Sequence, residues 1–114
     1  MEIHSERHEA CLRLSPVGEM TIYSAAELKP ALLQALEQSD EIEIDLADIS
    51  EMDTSGVQLL MLMKREASAA GKALKLVGHS PAVLEIFELL GLGNWFGDPQ
   101  LLPANDGETR RAAA

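Results

Sequence analysis

The chain reads as an α/β domain: a mixed four- to five-stranded sheet with helices mainly on one face. Three observations predict this class. Strand-like runs alternate apolar and polar residues, helix-like runs repeat apolar residues at about 3.6-residue spacing, and the two kinds of run succeed each other along the chain. The cleanest strand sets Ile42, Ile44 and Leu46 against Glu41, Glu43 and Asp45, and another sets Leu74 and Leu76 against Lys75. Such strands keep one face wet. A sheet sandwiched between helix layers would show continuous apolar runs instead, so the helices belong on one side.

The elements follow in order. A first strand is expected over His8 to Leu14, a turn at Ser15-Pro16-Val17-Gly18, and a second strand over Glu19 to Ile22. Ser24-Ala25-Ala26-Glu27 has capping-box spacing and opens a helix running to about Gln38. Pro30 inside it implies a kink or a later start. After the strand at Glu41 to Leu46, a second helix begins at Thr54-Ser55 and ends near Gly71, with Gly56, Leu59, Leu60, Met63, Ala67 and Ala70 as its core stripe. Val57, Met61 and Leu62 lie off that stripe and call for a neighbouring helix or a partner. Lys72 to Val77 is the next strand. The third helix takes Ser80 as N-cap, Pro81 as its first residue and Gly91 as its stop. Leu92 to Phe96 reads as a short final strand or strap. The expected organisation is a flexible N-terminus over 1–7, one domain over 8–98, and a flexible C-terminal tail over 99–114.

With 114 residues, 46% of them apolar, the chain suits one domain with a single core. No run approaches a membrane span and no basic segment precedes an apolar one, so no direct membrane insertion is expected and a cytoplasmic location is the default. A net charge of −10 argues against gripping nucleic acid and favours partners with basic surfaces. The aromatics Tyr23, Phe87, Trp95 and Phe96 form no stacking platform for bases. Cys11, the single cysteine, falls in a strand-like run and reads as partly or fully buried. His4, His8 and His79 share no metal spacing and read as surface or capping-loop residues. With no positioned base beside Asp53, Thr54 and Ser55, and no phosphate-binding glycine fingerprint, neither autonomous catalysis nor a cofactor is expected.

Asp53-Thr54-Ser55-Gly56 is the most informative segment. An acid, two hydroxyls and a glycine stand where a strand pattern gives way to a helix, a common place for sites in α/β folds. Capping alone would explain Ser and Thr there. The longer run Ile44-Asp45-Leu46-Ala47-Asp48-Ile49-Ser50-Glu51-Met52-Asp53-Thr54-Ser55-Gly56-Val57 changes the odds, because it resembles the strand, short acidic loop and D-[ST]-[ST/A]-G switch of the STAS domain family, typified by bacterial anti-sigma factor antagonists. Gly71 to Val77, Ser80-Pro81-Ala82-Val83 and Phe87 to Leu92 resemble that family's later glycine, strand and helix.

The resemblance implies a phosphorylation-controlled binding module in partner switching. In such members a GHKL-type serine/threonine kinase, commonly also the anti-sigma factor, phosphorylates the hydroxyl after the aspartate, and a PP2C-type phosphatase reverses it. That residue is Thr54 here, with Ser55 the alternative acceptor. Asp53, Thr54, Ser55, Gly56, Val57 and Met61 are the expected partner-binding set. Two alternatives share the motif. One is a constitutive STAS subunit of a phospholipid-transport ABC complex, where the threonine motif docks the ATPase; the other is a signalling scaffold component. Phosphate would add about −1.5 to −2 charge at a helix N-terminus, where amides are expected to accommodate it without refolding.

Overall fold

A computed structural model describes residues 1–92. In chain order the elements are β1 (Glu2–His8), β2 (Cys11–Met20), α1 (Ile22–Gln38), β3 (Glu41–Asp45), β4 (Ile49–Met52), α2 (Thr54–Ala69), β5 (Ala73–Val77) and α3 (Pro81–Leu89). The strands form an open five-stranded sheet ordered β1-β2-β3-β5, with β4 paired to β2. β1 runs antiparallel to β2; the β2–β3, β2–β4 and β3–β5 pairs are parallel. A mixed sheet is thus observed.

Alternation decides the two faces. Leu12, Leu14, Ile42, Ile44, Leu74 and Leu76 are buried, while their strand neighbours Arg13, Glu43 and Lys75 point to the other side of the pleat. On that open face Arg13 donates to Glu43 at 2.7 Å. The hydrogen bond to Glu43, then its charge, raises the guanidinium pKa above its ordinary value, so Arg13 remains cationic. The helices lie over the apolar face: α1 packs on α2 and β2, α2 on β4 and β5, and α3 on β4.

The structure corrects the N-terminal reading. Residues expected to be a flexible N-terminus form β1, and the hairpin turns at Glu9-Ala10, pairing His8 with Cys11. Glu9 takes a φ of 55°, unusual for a non-glycine residue and invisible to turn chemistry read from sequence. The expected turn at 15–18 lies inside β2. Pro16 is tolerated there because pairing with β3 ends at Leu14 opposite Ile44. Gly18, with a φ of 113°, sits at the register shift of the β2–β4 pairing, on the edge of β2 that β3 leaves at Leu14.

Further details differ. α1 starts two residues before Ser24: Thr21 is the N-cap, and its N–H donates to the Ser24 hydroxyl at 2.9 Å. Pro30 sits inside one continuous helix rather than marking its start. Ile49–Met52, read as acidic loop, is a strand whose Ile49 and Met52 are buried while Ser50 and Glu51 are exposed. Ala70, expected in the core stripe of α2, is instead its exposed C-cap. α3 follows expectation, with the Ser80 hydroxyl accepting from the Val83 N–H and Pro81 in the first turn. His79, read as a surface or capping-loop residue, is buried against Phe87, with ring centroids 5.7 Å apart. The final strap beyond Leu92 and the tail lie outside the described residues.

Candidate functional site at the β4–α2 junction

Asp53 is where two helices meet. It follows β4 directly, and its N–H donates to the Met20 carbonyl at the end of β2 (3.3 Å). As N-cap of α2 its Oδ1 accepts from the N–H groups of Ser55 (2.9 Å) and Gly56 (3.3 Å). The other oxygen, Oδ2, accepts from the N–H of Ile22, the first residue of α1, at 3.1 Å. One carboxylate therefore satisfies orphan donors at both helix N-termini, where the helix dipoles favour a negative charge. Asn could not supply two acceptor oxygens, which explains an acid at this position.

Gly56 is required by contact. A Cβ built on it would lie 2.6 Å from the Met20 carbonyl oxygen and 3.0 Å from the Met20 and Met52 side chains. The first turn of α2 thus presses directly on the ends of β2 and β4. That pressure holds the preceding residues in place at the surface.

The site residues divide accordingly. Thr54 is exposed as the first residue of α2, Ser55 and Asp53 are half-buried, and Gly56 is buried. Val57 is a correction: at 3% exposure it belongs to the core, and no partner can reach it in this state. It lies off the α2 stripe read from sequence, yet it belongs to the same core cluster as Leu59, Leu60 and Met63. Met61 is half-buried at the edge of the core. Glu19 and Glu51, register partners on β2 and β4, are both exposed beside this junction.

Sequence reasoning missed the α1 side of the site. Ile22 and Tyr23 begin α1 with exposures of 63% and 91%, and Ile22 is tied by its N–H to Asp53. Reading Ile22 as a strand end concealed this. The available signal was Thr21, three residues before Ser24, the spacing of a capped first turn. No group of three or more His, Cys, Asp or Glu side chains among the described residues is arranged to hold a metal ion. No described helix is long and apolar enough to cross a membrane.

An open mixed sheet backed on one face by helices, with an Asp-Thr-Ser-Gly junction feeding the second helix, defines a STAS domain. The chain belongs to that family: a family model described as "Mlab, STAS domain" matches residues 3–103. It is 27% identical over 92 residues to the anti-sigma-B factor antagonist of Bacillus subtilis (strain 168), covering 81% of this chain and 84% of that protein. Identity to the anti-sigma F factor antagonist of Lysinibacillus sphaericus is 30% over 83 residues, 71% of each chain. The fold matches the unphosphorylated form of the anti-sigma factor antagonist SpoIIAA with a TM-score of 0.69, at 24% identity and 89% coverage of both chains.

Proposed function

We propose that the protein is a phosphorylation-controlled binding module of bacterial partner switching, with Thr54 as the acceptor. The observation that carries this reading is the Asp53 clamp: it fixes two helix N-termini and leaves the hydroxyl of the next residue exposed. Ser55, the alternative acceptor, is half-buried and therefore the less accessible hydroxyl. The homology to anti-sigma factor antagonists supports an anti-sigma factor, or a GHKL-type kinase acting as one, as the partner, with a PP2C-type phosphatase resetting the switch. It also supports a binding protein rather than an enzyme, for which calorimetry should find no stoichiometric ATP binding.

The clamp changes how such a switch works. The amides of Ser55 and Gly56 already serve Asp53, so they are not open to neutralise a phosphate on Thr54. The added charge stays at the surface beside Asp53, Glu19 and Glu51. A partner seated there meets bulk and an unpaired anion, a penalty of several kcal/mol in a close interface. Because about 1.4 kcal/mol is tenfold in affinity, release needs no large conformational change.

Mass spectrometry after incubation with the genomically linked kinase and ATP tests the proposal, and phosphate on Thr54 is expected. Thr54→Ala should bind the partner as wild type and escape the kinase; since Asp53 is the cap, it should lose well under about 1 kcal/mol of stability. Thr54→Glu should fold normally and bind more weakly. Phosphate on Ser55 alone moves the acceptor by one residue. No phosphate, with both variants binding as wild type, sinks the switch.

That last outcome belongs to a second reading, a constitutive STAS subunit docking the ATPase of a phospholipid-transport ABC complex through the same motif. One observation stands on its side: the residue after Asp53 is threonine.

A further inference from the structure

α3 carries two apolar stripes where its packing needs one. Val83 and Phe87, four residues apart, are buried in the core. Ala82, Ile86 and Leu89 recur at i, i+4 and i+7 on a second line. This line flanks the core, with Ile86 packed against its edge; together with Met52 of β4 it lines an open groove of about 570 Å³ between the helix and the strand. Leu89 is 80% exposed, an unusual position for a large aliphatic side chain beside an apolar groove. The rim is charged with one sign. Glu51 from β4 and Glu85 and Glu88 from α3 line the groove, and no lysine or arginine among the described residues does.

We propose that the β4–α3 groove docks a basic amphipathic helix of a partner protein. Apolar side chains of that helix, at helical spacing, settle on Met52, Ile86 and Leu89, and its flanking lysines or arginines face Glu51, Glu85 and Glu88. The occupant is chosen by charge: an acidic or neutral segment would bury three carboxylates without partners, whereas a basic one pairs them. The surface goes beyond the switch read for Thr54 and needs neither that residue nor a phosphate.

The probe is a fluorescent synthetic peptide of about four helical turns, with leucines at i, i+3, i+4 and i+7 and lysines and arginines flanking them. Fluorescence anisotropy against the full chain should show it binding at least about tenfold tighter than a scrambled peptide of equal charge, and than one with the same leucine stripe flanked by glutamates. Leu89→Ser, at an exposed position, and the paired change Glu85→Gln with Glu88→Gln should each weaken binding by about tenfold or more while circular dichroism stays that of wild type. Equal binding of the scrambled peptide would reduce the effect to general attraction to an acidic protein and overturn the proposal, as would variants that bind like wild type. A concentration-dependent dimer in sedimentation, lost in Leu89→Ser, would overturn it in favour of a second copy of this chain.

Discussion

At Gly56, two opposing effects of one methyl group can be weighed. Alanine is the better helix former by about 1 kcal/mol, yet its Cβ would stand 2.6 Å from the Met20 carbonyl. That carbonyl cannot swing away freely, because it accepts the Asp53 N–H. The clash wins, and Gly56→Ala should lower stability by about 1–3 kcal/mol in urea denaturation. A variant as stable as wild type would show that the close approach relaxes and that the glycine is not what seats α2. The neighbouring residue carries a different lesson. Val57 looked available because it lies off the stripe defined by Gly56, Leu59 and Leu60, but the packed fold buries it to 3% exposure. One helix's periodicity defines its principal buried face; it does not say whether a neighbour covers the flank.

Among the elements, α1 runs unbroken from Ile22 to Gln38 through Pro30. The proline removes the hydrogen bond to the Ala26 carbonyl and crowds it, but both residues are exposed, so water can satisfy that carbonyl. Pro30→Ala should therefore stabilise the protein by about 1–2 kcal/mol, the helix penalty of proline less the unfolded-state entropy it restricts. A lower melting temperature for the variant would mean that Pro30 shapes α1 to its seat. α1, α2 and α3, together with β3 and β5, were legible because each carries its own period or cap. β1 was not: its Glu, His, Ser and Arg residues lack a strand signature, and it is a strand only because β2 offers it an edge. β4 escaped for its length, since four residues with two buried are too few to establish a period.

The whole molecule is strongly acidic, with 19 Asp and Glu against 9 Lys and Arg. Like-charge repulsion in the compact state outweighs the few ion pairs such as the partly buried Arg13–Glu43. Raising salt from low ionic strength to about 0.5 M shortens the screening length to a few ångströms, so stability should rise by about 1 kcal/mol, or roughly 4–8 °C in melting temperature. A fall in melting temperature would mean that attractive pairs dominate the fold's electrostatics. The sequence by itself determined the class of fold, the wet and dry faces of the sheet, and the Asp53–Gly56 junction. Those features are written in short-range periodicity, capping residues and one local motif. Only the tertiary structure decided which groups meet across the chain. Asp53 receives the N–H of Ile22, 31 residues earlier; Gly56 presses on Met20; and Val57 is buried in the core. Such meetings depend on how the strands pair and the helices cross, and no local pattern of side chains encodes them.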